Sequence, residues 1–345
     1  MRILLVKTSS LGDIVHTYPA LTDAQKAIPG IRFDWLVEEA FAELPLLHPA
    51  VDKVKTIALR RWRKGWRKAY KNGHLRNFVQ ALRADQYDLV IDAQGLIAKS
   101  AIPAAIARGK VVGFDYGSAR EKLSSVFYHR KVQVSRGLHA IERIRRLFAA
   151  ALSYSFDENS LDYGVRPGVA ETQAAVMFLH ATTWESKHWP VNYWVDLVRL
   201  ASDAGMTAKL PWASEPERER AEQIVAEAGV GEVLPKLSLD GIVREIAAVS
   251  AVVGVDSGLT HLAAALDKPV VALYGPTNSH LTGISGSRVA NLQAEFDCSP
   301  CMKKHCLYPD RSDVSPACFE AMSAALVWRR LQVLAALKDR EVAGE

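Results

Sequence analysis

The chain has 345 residues, of which 49% are hydrophobic and 23% charged, and a formal net charge of +5. That length exceeds what one core usually supports and the balance is that of an ordinary globular protein, which excludes a largely disordered chain and predicts two domains of roughly 150 residues each. No run approaches about 18 consecutive apolar residues and the first residues show no leader pattern, so neither a membrane span nor a signal peptide is expected, and the protein is expected in the cytoplasm.

Ile3 to Lys7 is a short branched apolar run, the pattern of a buried parallel strand, and from Ile14 the apolar residues recur at helical spacing. Between them lies Thr8-Ser9-Ser10-Leu11-Gly12-Asp13. A strand, a small-residue loop and a helix make the first half of a βαβ unit, whose ligands gather at the carboxyl ends of the strands. Asp13 there has two readings: it caps the helix at Ile14, or it serves as a general base at the mouth of a cleft. Gly12 beside it lets a substrate approach the backbone closely. Strands are predicted at Ile31 to Val37 and Val54 to Ala58. The stretch from Arg60 to Lys71 then holds seven basic residues and no acidic one. Its Trp62, Trp66 and Tyr70 recur every four residues, as an amphipathic helix in a membrane interface would place them beside arginines; a nucleic-acid site and a solvated or packed face are the other readings. A helix over Leu75 to Arg83 leads to a strand at Leu89 to Asp92 and a second small-residue loop, Ala93-Gln94-Gly95-Leu96. A strand at Val111 to Phe114, a loop over Asp115 to Lys122 and a helix from His139 to Ala151 complete the first half.

Residues 157 to 170 read as a linker, after which the pattern repeats. Strands at Val176 to His180, Thr207 to Leu210, Val233 to Leu234, Val252 to Val255 and Val270 to Tyr274 alternate with helices over Pro190 to Ala201, Glu217 to Ala228, Leu239 to Val249 and Thr260 to Leu266. A parallel sheet covered on both faces is therefore expected twice. The domains are set at residues 1–165 and 166–345, with the final helix, Phe319 to Leu337, free to cross back to the first.

In the second half, Asp256-Ser257-Gly258 ends a strand and opens a helix. Its unpaired N–H groups suit a diphosphate, and a plain capped helix is the other reading. Thr182, Thr183 and Lys187 in the loop after His180 supply hydroxyls and an ammonium, which are what a phosphate needs; a solvated loop lysine is the other reading. Glu215 and Glu217 either reach ribose hydroxyls or are surface glutamates. Neither G-x-G-x-x-G nor a P-loop nor a nucleophile elbow is present, so ordinary dinucleotide and ATP sites are not indicated. Cys298-x2-Cys301-x4-Cys306-x11-Cys318 is similar to a four-thiolate zinc site with irregular spacing, against which stand buried or incidentally close thiols.

Two Rossmann-like halves with a sugar-nucleotide type of second site describe the α/β architecture called GT-B, two parallel-sheet domains facing a central cleft. Lys7 to Asp13, Arg60 to Lys64, Asp92-Ala93-Gln94-Gly95-Leu96, His180 to Thr183 with Lys187 to Pro190, and Asp256 to His261 together resemble lipopolysaccharide heptosyltransferase I of glycosyltransferase family 9, over residues 1 to about 337. The segment from 298 to 318 looks more like the related heptosyltransferase that adds the second heptose. The resemblance implies an inverting, metal-independent transfer, without a cofactor, of L-glycero-D-manno-heptose from ADP-heptose to the first Kdo of Kdo2-lipid A in Gram-negative inner-core biosynthesis. It implies Asp13 as the base, and Thr182, Thr183, Lys187, Ser257, Gly258, Leu259, Thr260 and His261 as holding the ADP diphosphate. Asp256 and Glu217 would touch the donor sugar or ribose. Ser10, Gly12, Gln94, Arg60, Arg61, Arg63, Lys64, Arg120 and His139 would serve the acceptor, the basic ones reading Kdo carboxylates and lipid A phosphates. The implied protein is a monomer, peripheral on the anionic cytoplasmic face of the inner membrane, with no nucleic-acid partner. A sugar-nucleotide epimerase and a non-catalytic nucleic-acid-binding protein are the alternatives outside this family.

Overall fold

Ile3, Leu4, Leu5 and Val6 are fully buried and form, with Arg2, the strand β1 (Arg2–Val6). A strand covered on both faces carries this kind of unbroken apolar run. The computed structural model describes residues 1–165, 171–309 and 312–342, and the chain divides into two units, Met1–Arg166 and Pro167–Glu345. The first unit continues through α1 (Leu11–Val15), α2 (Tyr18–Ala27), β2 (Arg32–Glu38), β3 (Val51–Ile57), α3 (Leu59–Lys64), α4 (Trp66–Lys71), α5 (His74–Arg83) and β4 (Gln86–Asp92). It ends with α6 (Ile102–Ile106), β5 (Arg108–Phe114), β6 (Arg130–Val132) and α7 (Ala140–Leu152). Its six strands are all parallel in the order β3-β2-β1-β4-β5-β6. The order reverses between β1 and β4, and such a switch point is where open α/β sheets bind ligands.

Two expectations for this unit are corrected. The helix expected from Ile14 begins at Leu11, stops at Val15 and restarts at Tyr18. Pro19, in the first turn of α2, accounts for the break, because proline has no N–H to donate and its ring clashes within a helix interior. The basic stretch is two short helices broken at Gly65, not one stripe-bearing helix. Trp62 turns inward, its ring 5.5 Å from that of Phe78, while Trp66 and Tyr70 are 62% and 70% exposed.

The second unit comprises β7 (Gln173–Leu179), α8 (Val191–Asp203), β8 (Thr207–Leu210), α9 (Glu215–Ala228), β9 (Glu232–Val233), α10 (Leu239–Ala248) and β10 (Val249–Val255). It continues with α11 (Gly258–Ala265), β11 (Val270–Tyr274), α12 (Ser279–Thr282), β12 (Val289–Gln293) and α13 (Ala324–Val342). Its parallel sheet runs β12-β11-β10-β7-β8-β9, the same order as the first when counted from its own first strand, with the switch point between β7 and β10. The last helix, left free by the sequence to cross back, sends Val327, Trp328, Leu331 and Leu334 into the core of its own unit and packs on α8 and β11. Of the linker expected at 157–170, residues 166–170 lie outside the described residues, and its earlier part is tied down. Asp162 pairs with Lys26 on α2, and the Asp157 carbonyl accepts from Arg145 on α7. Among the described residues no helix is long and apolar enough to cross a membrane.

Candidate active site

The first switch point is built on Lys7, a charged residue that follows β1 and is only 5% exposed. Its Nζ donates to the Ala93 carbonyl at 3.1 Å and lies 3.4 Å from Asp13 Oδ1. The two predicted loops are knitted together by Gln94, whose Oε1 accepts from the amides of Thr8 and Ser9 at 3.0 and 3.2 Å. Asp92, buried at the end of β4, shapes the second loop by accepting from the amides of Gln94 and Gly95 and from the Tyr128 hydroxyl. Gly95 has φ +68, and a Cβ there would stand 3.4 Å from the Arg120 nitrogen. Glycine is thus what permits both this turn and the close passage of the Arg120 segment.

Asp13 is not the N-cap of its helix. Ser10 is, and Asp13 is the third helical residue, with Oδ2 accepting from the Ser10 amide at 2.9 Å and the Ser10 hydroxyl at 3.1 Å. A capping-box residue commits one oxygen to the backbone and leaves the other for chemistry. Burial works to raise the Asp13 carboxyl, but Lys7 foremost, then the Ser10 amide, His16 and Arg120, outweigh it and hold the group at about 2. It is therefore ionised throughout the physiological range, with a third of its side chain exposed. The His139 ring lies 5.9 Å from that of His16, and its Nδ1 accepts from the Ile141 amide to cap α7. Of the four cations predicted after β3, Arg60 stacks over Phe41 at 4.9 Å and Arg61 pairs with Glu39 at 3.0 Å. Arg63 and Lys64 are exposed.

The second switch point is built on Asp256, 6% exposed, at the end of β10. Its Oδ2 lies 2.7 Å from Lys187 Nζ and accepts from the Thr277 hydroxyl at 2.7 Å, and its Oδ1 is 3.6 Å from His261 Nε2. Burial alone would raise this carboxyl, yet His261 and Lys187 hold it well below the usual carboxylate range. Lys187 also lies over the Trp184 ring at 4.7 Å. The Thr182 hydroxyl is 3.4 Å from the Asp256 carbonyl, and Thr183 is exposed beside it. Ser257 is the N-cap of α11, with its hydroxyl 3.0 Å from that of Thr260, so the first-turn amides from Gly258 onward open at the helix end. Gly254 lets α11 lie this close to β10, since a Cβ there would strike Thr260 and Leu179. Glu217 sits in the first turn of α9, where its Oε2 accepts from the amides of Ala213 and Ser214. It is within electrostatic reach of His188, whose Nε2 is 2.8 Å from the Thr182 carbonyl.

Sequence reasoning missed Lys7 and Thr277 as partners of the two aspartates. The one signal for Lys7 is a charged residue closing an otherwise apolar strand. Among the described residues no group of three or more His, Cys, Asp or Glu is arranged to hold a metal ion, although the thiols of Cys298, Cys301 and Cys306 lie within electrostatic reach of Cys318. Cys318 is buried against Phe319 in the apolar core, and burial pushes its thiol up to about 12. The stretch carrying Cys298, Cys301 and Cys306 is hydrogen-bonded to the site loops. Ser299 Oγ donates to the Gly275 carbonyl, the Met302 amide to Pro276, and Ser186 to the carbonyls of Lys303 and Lys304.

Chemically, the first unit offers an ionised carboxylate able to take a proton. The second offers an ammonium and a helix N-terminus able to hold a diphosphate. Two Rossmann-like parallel sheets of equal strand order, each with its charged loops at the switch point, are the GT-B class of glycosyltransferase fold. Residues 75–311 match the family model for glycosyltransferase family 9 (heptosyltransferase). The chain is 47% identical to lipopolysaccharide heptosyltransferase 1 of Pseudomonas aeruginosa, over 97% of this chain and 98% of that one. E. coli heptosyltransferase WaaC, solved with ADP, matches with a TM-score of 0.79 at 47% identity, covering 84% of this chain and 92% of that one. Lipopolysaccharide heptosyltransferase 2 of Escherichia coli is more distant, 29% identical over 57% of this chain and 53% of that one. The chain belongs to glycosyltransferase family 9, the heptosyltransferases, and is of the heptosyltransferase 1 type.

Proposed function

We propose that the protein transfers L-glycero-D-manno-heptose, with inversion, from ADP-heptose to the first Kdo of Kdo2-lipid A. The observation that carries this reading is the ionised, part-exposed Asp13 carboxylate fixed between Lys7 and Ser10. The 47% identity to a heptosyltransferase 1 supports the first Kdo as acceptor over the second-heptose alternative.

The Kdo hydroxyl attacks the anomeric carbon of heptose from the face opposite the diphosphate, the new C–O bond forming as the bond to ADP breaks. A carboxylate held at about 2 is a weak base, so it takes the hydroxyl proton late, once bonding to the electron-poor carbon has made that proton acidic. The charge that develops on ADP meets Lys187 and the α11 amides, fixed donors that need no rearrangement and no metal ion. Thr182 and Thr183 add hydroxyls, Thr260 and His261 shape the turn, and Glu217 takes the ribose with Oε1. Asp256, nearly covered, orients Lys187 and Thr277. Ser10, Gly12 and Gln94 border the acceptor hydroxyl, while Arg60, Arg61, Arg63, Lys64, Arg120 and His139 meet Kdo carboxylates and lipid A phosphates. The protein acts as a monomer, peripheral on the anionic cytoplasmic face of the inner membrane.

The test is turnover of ADP-heptose with Kdo2-lipid A, beside the same acceptor already carrying its first heptose, in EDTA. Transfer to Kdo2-lipid A alone is expected. Transfer only to the pre-heptosylated acceptor overturns the acceptor assignment, and loss of turnover in EDTA overturns the metal-free mechanism.

A further inference from the structure

One side of the first sheet is covered by α3, α5, α6 and the 3₁₀ turn Lys122–Phe127, which meet in a single apolar cluster through Trp62, Phe78, Leu82, Ala104 and Phe127. The same layer, with α4 packed on α5, also carries apolar residues outward: Trp66, Tyr70, Ile102, Leu123 and Val126 are between 40% and 70% exposed. The turn is the most pointed case. Side chains three apart eclipse one another in a 3₁₀ helix, so Leu123 and Val126 stand on one face, 60% and 66% exposed, while Ser124 and Ser125 are buried and Phe127 packs inward.

Two apolar side chains raised on a tight turn have no packing reason to point at water. What surrounds them is cationic. Residues 59–83 hold nine Lys or Arg and no Asp or Glu. Around the turn, Lys122 lies over the exposed Tyr116 ring at 5.4 Å. The nearby acids are turned into backbone roles, Glu121 accepting from the Ile97 amide and Asp115 from the Ser118 amide. An apolar tip beside this excess of cations, of which Arg61 is paired with Glu39, complements a bilayer with anionic headgroups, where apolar burial and phosphate attraction act together.

We propose that this side of the first unit lies on an anionic lipid bilayer, with the Lys122–Phe127 turn seating Leu123 and Val126 at the boundary of headgroups and acyl chains. The inference rests on the lipid-acceptor reading and deepens it: the enzyme is held at the surface where its acceptor resides by an element separate from the residues that bind that acceptor.

The full chain is sedimented with vesicles of phosphatidylethanolamine and phosphatidylglycerol, and with phosphatidylcholine vesicles as the neutral reference. Wild type is expected to pellet with the anionic vesicles. The double variant Leu123→Ser, Val126→Ser is expected to lose about tenfold or more in vesicle affinity. It should turn over a Kdo acceptor lacking acyl chains at the wild-type rate, which also establishes that it is folded. Equal anionic-vesicle binding by wild type and double variant overturns the seating turn while leaving the lipid-acceptor reading intact. Wild type that pellets with neither vesicle overturns the proposal, and wild type that does not turn over Kdo2-lipid A marks failure of the acceptor reading. A double variant that binds vesicles normally but loses self-association in sedimentation velocity assigns the face to a second copy of the chain and also overturns it.

Discussion

Each of the two units sets a lysine and an aspartate at its switch point, and the two pairs are buried in opposite senses. In the first, Lys7 is the hidden member, its side chain 6% exposed against 32% for Asp13, with 3.4 Å between them. In the second, Asp256 is hidden at 8%, Lys187 stands at 15%, and the separation is 2.7 Å. A hidden charge held by backbone and side-chain partners cannot be spared for a substrate; it fixes its partner in place. One unit thereby presents a negative group and the other a positive one, from the same strand order. The fold supplies the position, and the choice of which partner to bury supplies the chemistry.

The largest expected effect breaks the first pair at its exposed end. Asp13→Asn removes the base while its oxygen can still accept from Ser10, so kcat should fall by about 10²- to 10⁴-fold. Calorimetric affinity for ADP-heptose should stay within about twofold, because the proposed donor contacts are all in the second unit. Turnover near the wild-type rate would remove Asp13 from the reaction. Next comes the exposed end of the second pair. Lys187→Met keeps most of the side-chain bulk but strands the covered Asp256, so denaturant unfolding should report a loss of about 3 kcal/mol. Donor affinity should weaken about 10- to 100-fold, the worth of a hydrogen bond to a charged phosphate. A variant that loses stability but binds ADP-heptose normally would make Lys187 a structural partner only.

Both switch-point loops were legible because a strand buried on both faces writes itself as an unbroken apolar run. The expected strands at Thr207 to Leu210 and Val270 to Tyr274 coincide with the observed ones. What failed depended on contacts distant in sequence or on single breakers. The helix at Ile14 was misplaced because its periodicity masks the capping box that starts it at Leu11 and the Pro19 that divides it. The aromatic stripe matched a helical period, but Gly65 interrupts the helix and core packing claims Trp62. The docking of Ser186 on Lys303 and Lys304, 117 residues on for the first, leaves no mark in the local pattern of either segment. Lys7 reads as the end of a strand, since the Ala93 carbonyl that helps to hold its ammonium beside Asp13 is 86 residues away in the chain.

Breaking the first pair at its hidden end gives a smaller and differently shaped effect. Asp13 is lowered from the ordinary 3.8 to about 2, so its ionised form favours the folded chain above the unfolded value, and that contribution is lost as pH falls through about 2. Lys7→Met removes the foremost lowering influence and leaves burial, which raises the group. The acid limb of the kcat/KM profile should therefore move to higher pH, with turnover near pH 8 reduced by about tenfold from loss of orientation. An acid limb that stays in place would mean that Ser10, His16 and Arg120 suffice to hold the carboxylate.

The smallest expected effect sharpens the edge of the second site. Glu217 Oε2 is committed to the amides of Ala213 and Ser214, a capping box that glutamine can also complete. Glu217→Ala should lower unfolding free energy by about 1 kcal/mol, and Glu217→Gln by less than about 0.5 kcal/mol. Oε1 is the part that meets a ribose hydroxyl in the proposed complex, so the alanine variant should also bind ADP-heptose about three- to tenfold more weakly, with glutamine between it and wild type. Stability loss in the alanine variant with unchanged donor affinity would confine Glu217 to the helix end and leave Thr182, Thr183, the Lys187–Asp256 pair and the α11 turn as the proposed donor site.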